Sequence, residues 1–412
     1  MQELPLAGDA DVEVILKWVS EDACHIERMF IPMMNFWRDI IPDALCRQME
    51  GWKAGETLRH AFEPGELLPV RSEALVKTLP RYQVSPPPAS HPFGLAPGFF
   101  LPRGLASRAL GVFPQDIRPM QVLGVTETQV TLDLNHPLAG LALDLGMRHY
   151  GVEESNRSMA GRCREVAEAV TGDGPGMQAL FQAPDACVDG TPLQRPVGVD
   201  DSLFYASPRL VQHLDAEAER QVRALYGRLL CDNSDVLDLM ASWDSHLPDS
   251  LSACRVTGLG MNGEELERNP LLTSRTLHDL NAQPVLPYDD KAFHAVVCTA
   301  SVEYAIHPVA LFNEVARILK PGGLFVLTFA DRWFPPKVTQ PWSDMHPFER
   351  MGLVLEYFRA SGEFTEYHTE SRRGWPRPPA DAYFPRKREA DPLQAVWARR
   401  RPAPGDRTEL GR

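Results

Sequence analysis

Apolar residues change their spacing twice between His294 and Phe329, and each change marks an element. HAVVCTAS is short, apolar and β-branched, so it suits a strand covered on both faces of a parallel sheet. In ALFNEVARILK, Leu311, Phe312, Val315, Ile318 and Leu319 recur at helical spacing. Lys320 complements the negative end of that helix, and Pro321-Gly322-Gly323 stops it before the strand LFVLTF. The pattern predicts a strand–helix–strand unit. Upstream, Asp215 to Leu230 predicts an amphipathic helix with Ala218, Val222, Leu225, Tyr226 and Leu229 inward.

The first part of the chain is patterned differently. DVEVILKWV alternates as a strand does, and Pro42 to Met49 suit one or two helical turns before Gly51. QVLGVTETQVTLDLNHPLAGLALDL alternates strongly and turns between Asn135 and Gly140, which predicts a mostly antiparallel domain. Between the two parts, residues 156–200 are rich in Gly, Pro and small side chains and are expected to be a linker.

Composition narrows the classes. A length of 412 residues predicts two or three domains, and an apolar share of 44% supports filled cores. A formal charge of −13 without a broad basic face argues against nucleic acid as a partner, and Arg399-Arg400-Arg401 is expected to lie in a solvated tail, 399–412. No apolar run approaches membrane-spanning length and no leader pattern is seen, so a soluble cytoplasmic protein is expected. Cys24, Cys46, Cys163, Cys187, Cys231, Cys254 and Cys298 are scattered without a C-x-x-C pair and read as reduced thiols. The twelve histidines form no local metal motif, so no metal is expected.

The segment Arg317 to Gly323, with Leu286, Pro287, Tyr288, Asp290 and Phe293 about thirty residues upstream, resembles class I S-adenosylmethionine-dependent methyltransferases. The resemblance implies a Rossmann-like sheet over 201–398, whose first strand is DVLDLM, Asp235 to Met240, with Asp238 at the family's first acidic position. The glycine-rich loop that should follow is replaced by MASWDSHLP, in which Ser242 could supply a hydroxyl contact. On the second strand, Gly260 stands where many relatives carry a ribose-binding acid. Met261 is expected to cover the adenine, with Asn262 or Glu265 taking polar contacts. Asp279 matches the acid near the adenine amino group, and Leu280 the following N–H donor. Asp238, Met261, Asp279 and Ser301 should converge beyond the carboxyl ends of the strands. Ser301, Glu303, Tyr304, Arg332 and His213 are the candidate catalytic residues, and Phe204, Tyr205 and Arg209 join His213 as cleft candidates.

Asp133, Asn135 to Gly140 and Leu143 resemble the end of the flap in SlyD-like FKBP-type peptidyl-prolyl isomerases, and Met49 to Glu56 resembles another turn region of that family. The implied fold is multidomain α/β plus α+β: an FKBP-like antiparallel domain over 1–155, with a flap inserted at about 78–138, followed by the Rossmann-like half. The family's Tyr-Thr-Gly and Phe-Asp-Ser features are missing, as is its histidine-rich tail, so a client-binding or chaperone-like accessory module is at least as well supported as an active isomerase, and a domain kept for solubility or dimerisation is the further alternative. With no base constellation or metal cluster evident, a small-molecule acceptor is expected, with a small thiol such as hydrogen sulfide or methanethiol favoured. The alternatives are a folding factor that holds a client polypeptide beside a protein-methylating domain, and a domain that only senses S-adenosylmethionine. Oligomeric state is not legible.

Overall fold

The computed structural model describes residues 9–87, 94–153, 163–196, 200–251 and 253–402. In chain order the strands are β1 (Asp9–Val19), β2 (Ala23–Asn35), β3 (Thr57–Phe62), β4 (Val76–Pro80), β5 (Phe100–Pro102), β6 (Pro119–Val125), β7 (Gln129–Asp133) and β8 (Leu143–Glu153). They continue with β9 (Asp235–Leu239), β10 (Arg255–Gly260), β11 (Leu272–Leu277), β12 (Phe293–Thr299), β13 (Leu319–Phe329), β14 (Phe364–Arg373) and β15 (Leu393–Arg400). Strands β11-β10-β9-β12-β13-β15-β14-β2-β1-β8-β3 form one sheet in that order, and β4-β7-β6-β5 form a second.

Aliphatic residues on both faces drive the parallel part of the large sheet. Val236, Leu237 and Leu239 of β9 and Val296 and Val297 of β12 are completely buried, as expected of strands covered on two sides. β9, β10, β11, β12 and β13 run parallel, and the order reverses between β9 and β12. A crevice at the carboxyl ends of the strands is expected at such a reversal.

The helix Ala216–Leu229 buries Ala218, Val222, Leu225 and Tyr226, and Asp215 caps it by accepting the Ala218 N–H at 2.9 Å. The Tyr226 hydroxyl reaches Thr299 Oγ1 at 2.6 Å and Thr328 Oγ1 at 3.1 Å, fixing this helix to β12 and β13. The helix Pro308–Ile318 lays Leu311, Phe312, Val315 and Ile318 on the opposite face, and β13 begins at Leu319. Arg317 connects the two separated sequence matches. Its guanidinium donates to the Tyr288 and Leu286 carbonyls at 2.8 and 2.9 Å and pairs with Asp290 and Glu314. The helix end and the LPYDD turn therefore fold as one unit.

Three expectations about organisation change. The segment 156–200, read as a linker, is packed where it is described: short helices at Val166–Thr171, Met177–Leu180 and Asp185–Val188 fill the space between the two parts of the chain. Val166 and Val170 enter the N-terminal core, while Met177, Phe181, Cys187 and Leu193 enter the C-terminal one. Glycine serves close packing here, since a Cβ on Gly352 would stand 2.5 Å from that of Phe181. The two parts are also not separate sheets. β2 pairs in parallel with β14 from Ala23↔Tyr367 to Met29↔Arg373, making one sheet across both. Finally, Arg399 and Arg400 belong to β15 rather than to a tail. Arg400 and Arg401 donate to the Leu319 and Phe364 carbonyls. Residues 403–412 lie outside the described residues.

β1 lies between β2 and β8, antiparallel to both, with β3 beyond β8. The small sheet, from Val76 to Asp133, has its own core of Leu101, Met120, Val122, Val130 and Leu132. The Phe100 N–H donates to Glu349 at 2.8 Å, and this links the small sheet to the start of the helix Pro347–Ser361. Among the described residues no helix is long and apolar enough to cross a membrane.

Candidate functional site

The cleft opens where β9, β10 and β12 end. Asp238, Met240, Ala241, Ser242, Gly260, Met261, Asn262, Asp279, Leu280, Ser301 and Tyr304 line it, with Tyr205, Arg209, His213 and Phe334 across its mouth. All the residues expected to bind a cofactor are therefore on one surface.

The loop after β9 keeps a tight turn without the family's glycines. Met240 has φ 60°, a left-handed conformation that side chains adopt at a cost, and Ala300 at the end of β12 has φ 46°. Side chains hold the loop in place. The fully buried Asn269 donates to the Ser242 carbonyl and to Ser245 Oγ, both at 2.9 Å, and Ser242 Oγ donates to Glu265 at 2.8 Å. Ala241 N–H donates to the Leu259 carbonyl at 2.7 Å, which draws the loop onto β10. Gly260 follows from this close approach: a Cβ there would stand 2.3 Å from the Ala241 carbonyl oxygen. An acid cannot occupy this position while the loop keeps its course.

Asp238 is buried, and one carboxylate oxygen has no hydrogen-bond partner. Burial pushes its pKa up to about 7, against the opposing effect of the Ser245 hydroxyl. Asp279 is more open and accepts the Asn281 and Ala282 N–H groups at 2.9 and 3.1 Å, which shapes the turn presenting Leu280. Asn262 is occupied otherwise than expected. Its side chain caps the helix Gly263–Arg268 and donates to the Tyr205 and Ala206 carbonyls at 2.9 and 3.2 Å, so it holds the covering segment.

The catalytic candidates divide. Ser301 lines the cleft with its hydroxyl donated to the Thr299 carbonyl at 2.8 Å. Tyr304 also lines it, its hydroxyl oxygen accepting the Phe334 N–H at 2.9 Å, and its ring stacks on that of Phe334 at 5.8 Å. His213 meets Phe334 edge-on at 5.2 Å, and burial lowers its pKa. Glu303 and Arg332 are corrections. Glu303 turns into the interior at 1% exposure, away from the cleft lining, and burial raises its pKa to about 8. Arg332 is held at 2.9 Å by buried Asp391, with Tyr383 beneath it, and it too is outside the lining.

The sequence reading missed Asp201. Its carboxylate is bonded to Lys337, to Arg195 at 2.7 Å and to Asn281 at 3.0 Å, and Arg195 and Asn281 both donate to the Tyr304 carbonyl. This hub fixes the covering segment to the loops after β11, β12 and β13. No periodic signal announces it, because two of its three partners, Asn281 and Lys337, come from distant stretches of the chain. Glu219, Asp244 and His246 also bring ligand-type atoms within 4.8 Å of one another. Arg223, 2.7 Å from Asp244 and 3.7 Å from Glu219, already supplies a cation there.

Residues 244–327, from the loop after β9 into β13, match the family described as "Methyltransferase domain". This segment is similar to a methyltransferase domain. Two curated relatives are similar to a part of the chain. The ubiquinone/menaquinone biosynthesis C-methyltransferase of Chromobacterium violaceum is 33% identical over 92 residues, 22% of this chain and 36% of that protein. The malonyl-[acyl-carrier protein] O-methyltransferase of Marinomonas sp. is 26% identical over 82 residues, 18% of this chain and 30% of that protein. The chain thus spans about a third of the length of the curated relatives it matches. Among solved structures, an S-adenosylmethionine-dependent methyltransferase from Mesorhizobium loti is 17% identical, with a TM-score of 0.28, covering 43% of this chain and 96% of that one. The matched segment contributes β10 to β12 and much of the cleft, while Asp238, Met240, Ala241 and Ser242 as well as Tyr205, Arg209, His213 and Phe334 come from outside it.

Proposed function

We propose that the chain is an S-adenosylmethionine-dependent methyltransferase acting on a small molecule. What carries this reading is the cleft at the reversal of the strand order, lined by Asp238, Gly260, Met261, Asp279, Leu280 and Ser301 and built largely from the methyltransferase domain. The lining suits the cofactor chemically. The orphaned Asp238 oxygen and the Asp279 carboxylate offer acceptors to its ammonium, hydroxyl and amine donors, and Leu280 N–H and the face of Met261 suit the adenine.

When bound, the cofactor supplies an electrophilic methyl group on a sulfonium. The chain's part is to position and desolvate. Phe334, Tyr304 and Met240 form the apolar wall, and His213, kept neutral at pH 7 by burial, accepts the acceptor's proton. The acceptor we favour is a small thiol such as hydrogen sulfide or methanethiol. A thiol ionises near neutral pH and asks for little more than this wall and a neutral histidine.

The N-terminal part is proposed as a SlyD-like FKBP accessory module, a reading supported by the Asn135 to Gly140 stretch and by the separate small sheet from Val76 to Asp133. If that part instead recruits a client polypeptide to a protein-methylating half, methyl-labelled cofactor incubated with host extract will mark protein rather than volatile or soluble products.

Asp279→Ala is expected to weaken S-adenosylhomocysteine binding by about 1.5–3 kcal/mol, roughly tenfold to a hundredfold. Isothermal titration checks this, and unchanged affinity would remove Asp279 from the cofactor site. His213 sets the acid side of the pH profile. Because its pKa is lowered, kcat/KM should be flat above about pH 6.5 and fall as the pH drops through the depressed value. His213→Asn should remove that limb and slow turnover by about a hundredfold. An acid limb surviving in the variant would assign the proton to another group.

A further inference from the structure

We infer that Arg209 and Tyr205 form a carboxylate-binding pair inside the cleft, an inference that rests on the methyltransferase reading above. The Arg209 guanidinium carbon lies 4.2 Å from the Phe204 ring centroid, 5.3 Å from that of Phe334 and 5.8 Å from that of Tyr205. Such aromatic surroundings exclude water without cancelling the charge. Nη2 donates to the Phe204 carbonyl at 2.8 Å, whereas Nη1 is buried with no hydrogen-bond partner. Among the described residues no carboxylate lies within ion-pair distance of this guanidinium. The Tyr205 hydroxyl, on the same cleft, is buried and unpartnered as well.

Buried donors without acceptors are rare because they forfeit their hydration, and two on one cleft call for a ligand that meets both. A carboxylate does so: it is planar, accepts several hydrogen bonds and matches the edge of a guanidinium. The Asp201 carboxylate nearby is already bonded to Lys337, Arg195 and Asn281.

The pair is held in place. Arg209 N–H donates to one oxygen of Glu265 at 2.6 Å while Ser242 Oγ donates to the other at 2.8 Å, so Glu265 ties Arg209 to the loop after β9. Asn262 secures the carbonyls of Tyr205 and Ala206 from below. That loop lacks the glycines that would let backbone amides crowd around the amino-acid end of the cofactor, and Arg209 stands beside it with a free donor edge. The carboxylate has two possible sources, the amino-acid end of the cofactor and an acidic acceptor.

Calorimetry on the full chain separates them. S-adenosylhomocysteine, which carries the carboxylate, and 5′-methylthioadenosine, which lacks the amino-acid end, are titrated into wild type, Arg209→Gln and Tyr205→Phe. Weakening of S-adenosylhomocysteine by about tenfold or more in Arg209→Gln, with 5′-methylthioadenosine unchanged, supports the pair with the cofactor as source. The second ligand also reports that the variant's cleft is folded. Unchanged S-adenosylhomocysteine affinity, together with benzoate binding to the loaded wild type that Arg209→Gln abolishes, supports it with the acceptor as source. Equal binding of all three ligands by wild type and both variants overturns the pair and leaves the methyltransferase reading standing. A wild type that binds neither nucleoside overturns that reading, and the pair with it.

Discussion

Gly260→Asp, which places an acid at the end of β10, is expected to lose S-adenosylhomocysteine binding rather than improve it. The reason is steric. A Cβ at Gly260 would stand 2.3 Å from the Ala241 carbonyl oxygen and 3.2 Å from Leu266 Cδ2. The loop cannot retreat without cost, because Ala241 N–H is bonded to Leu259 and Asn269 holds the Ser242 carbonyl. We expect a destabilisation of about 3 kcal/mol or more in urea unfolding. Gly260→Ala should show most of the same loss, since the collision begins at Cβ. Retained affinity in Gly260→Asp would mean that the loop yields and that its course does not define the site.

Glu370→Ala is expected to cost about 3–5 kcal/mol, the range for removing one member of a buried ion-pair cluster. Glu370 is 1% exposed and faces three guanidiniums: Arg228 and Arg372 at 2.7 Å and Arg28 at 3.3 Å. They come from the helix Ala216–Leu229, from β14 and from β2, so the substitution leaves Arg228 and Arg372 without this buried carboxylate, while Arg28 keeps Glu13 at 3.1 Å. Burial alone would raise the pKa of Glu370, but the guanidiniums of Arg372, Arg228 and Arg28 together hold it below the usual carboxylate range. A carboxylate with a depressed folded pKa contributes stability above its unfolded value, about 4.3, and loses it as the pH falls through the folded value. Unfolding midpoints should therefore drop steeply in acid for wild type and less steeply for Glu370→Ala. Equal acid slopes would place the acid sensitivity elsewhere.

These two residues also divide what the sequence discloses from what it hides. The strand–helix–strand unit and the capped helix Ala216–Leu229 were legible because their signals are local, a period of 3.6 and an aspartate at the cap, although the helix ends at Ile318 and β13 takes in the Pro-Gly-Gly expected to stop it. The residues that line the cleft were legible as neighbours because strand ends are ordered along the chain. Glu370 carries no such mark. Its role depends on β2 pairing with β14, a contact between residues some 344 positions apart that no spacing encodes. The segment 156–200 was misread for a related reason. Its anchors, Met177, Phe181 and Leu193, are isolated apolar residues among glycines and prolines, and composition there resembles that of a tether. Glu303 and Arg332 follow strand ends as catalytic groups do, yet the short helical turn Val302–Tyr304 rotates Glu303 inward and Asp391 captures Arg332. The left-handed turn at Met240 was hidden too, since methionine gives no hint of a conformation that glycine would advertise.

The parallel seam between β2 and β14 bears on how the protein could be divided. A cut between the amino-terminal strands and the part from β9 to β15 would not release two finished bodies. It would leave β14 on one piece and β2 on the other, each with a bare row of amide and carbonyl groups, with Glu27 parted from Arg373 and Glu370 parted from Arg28. Fragments made this way would present adhesive borders to one another and to their own copies.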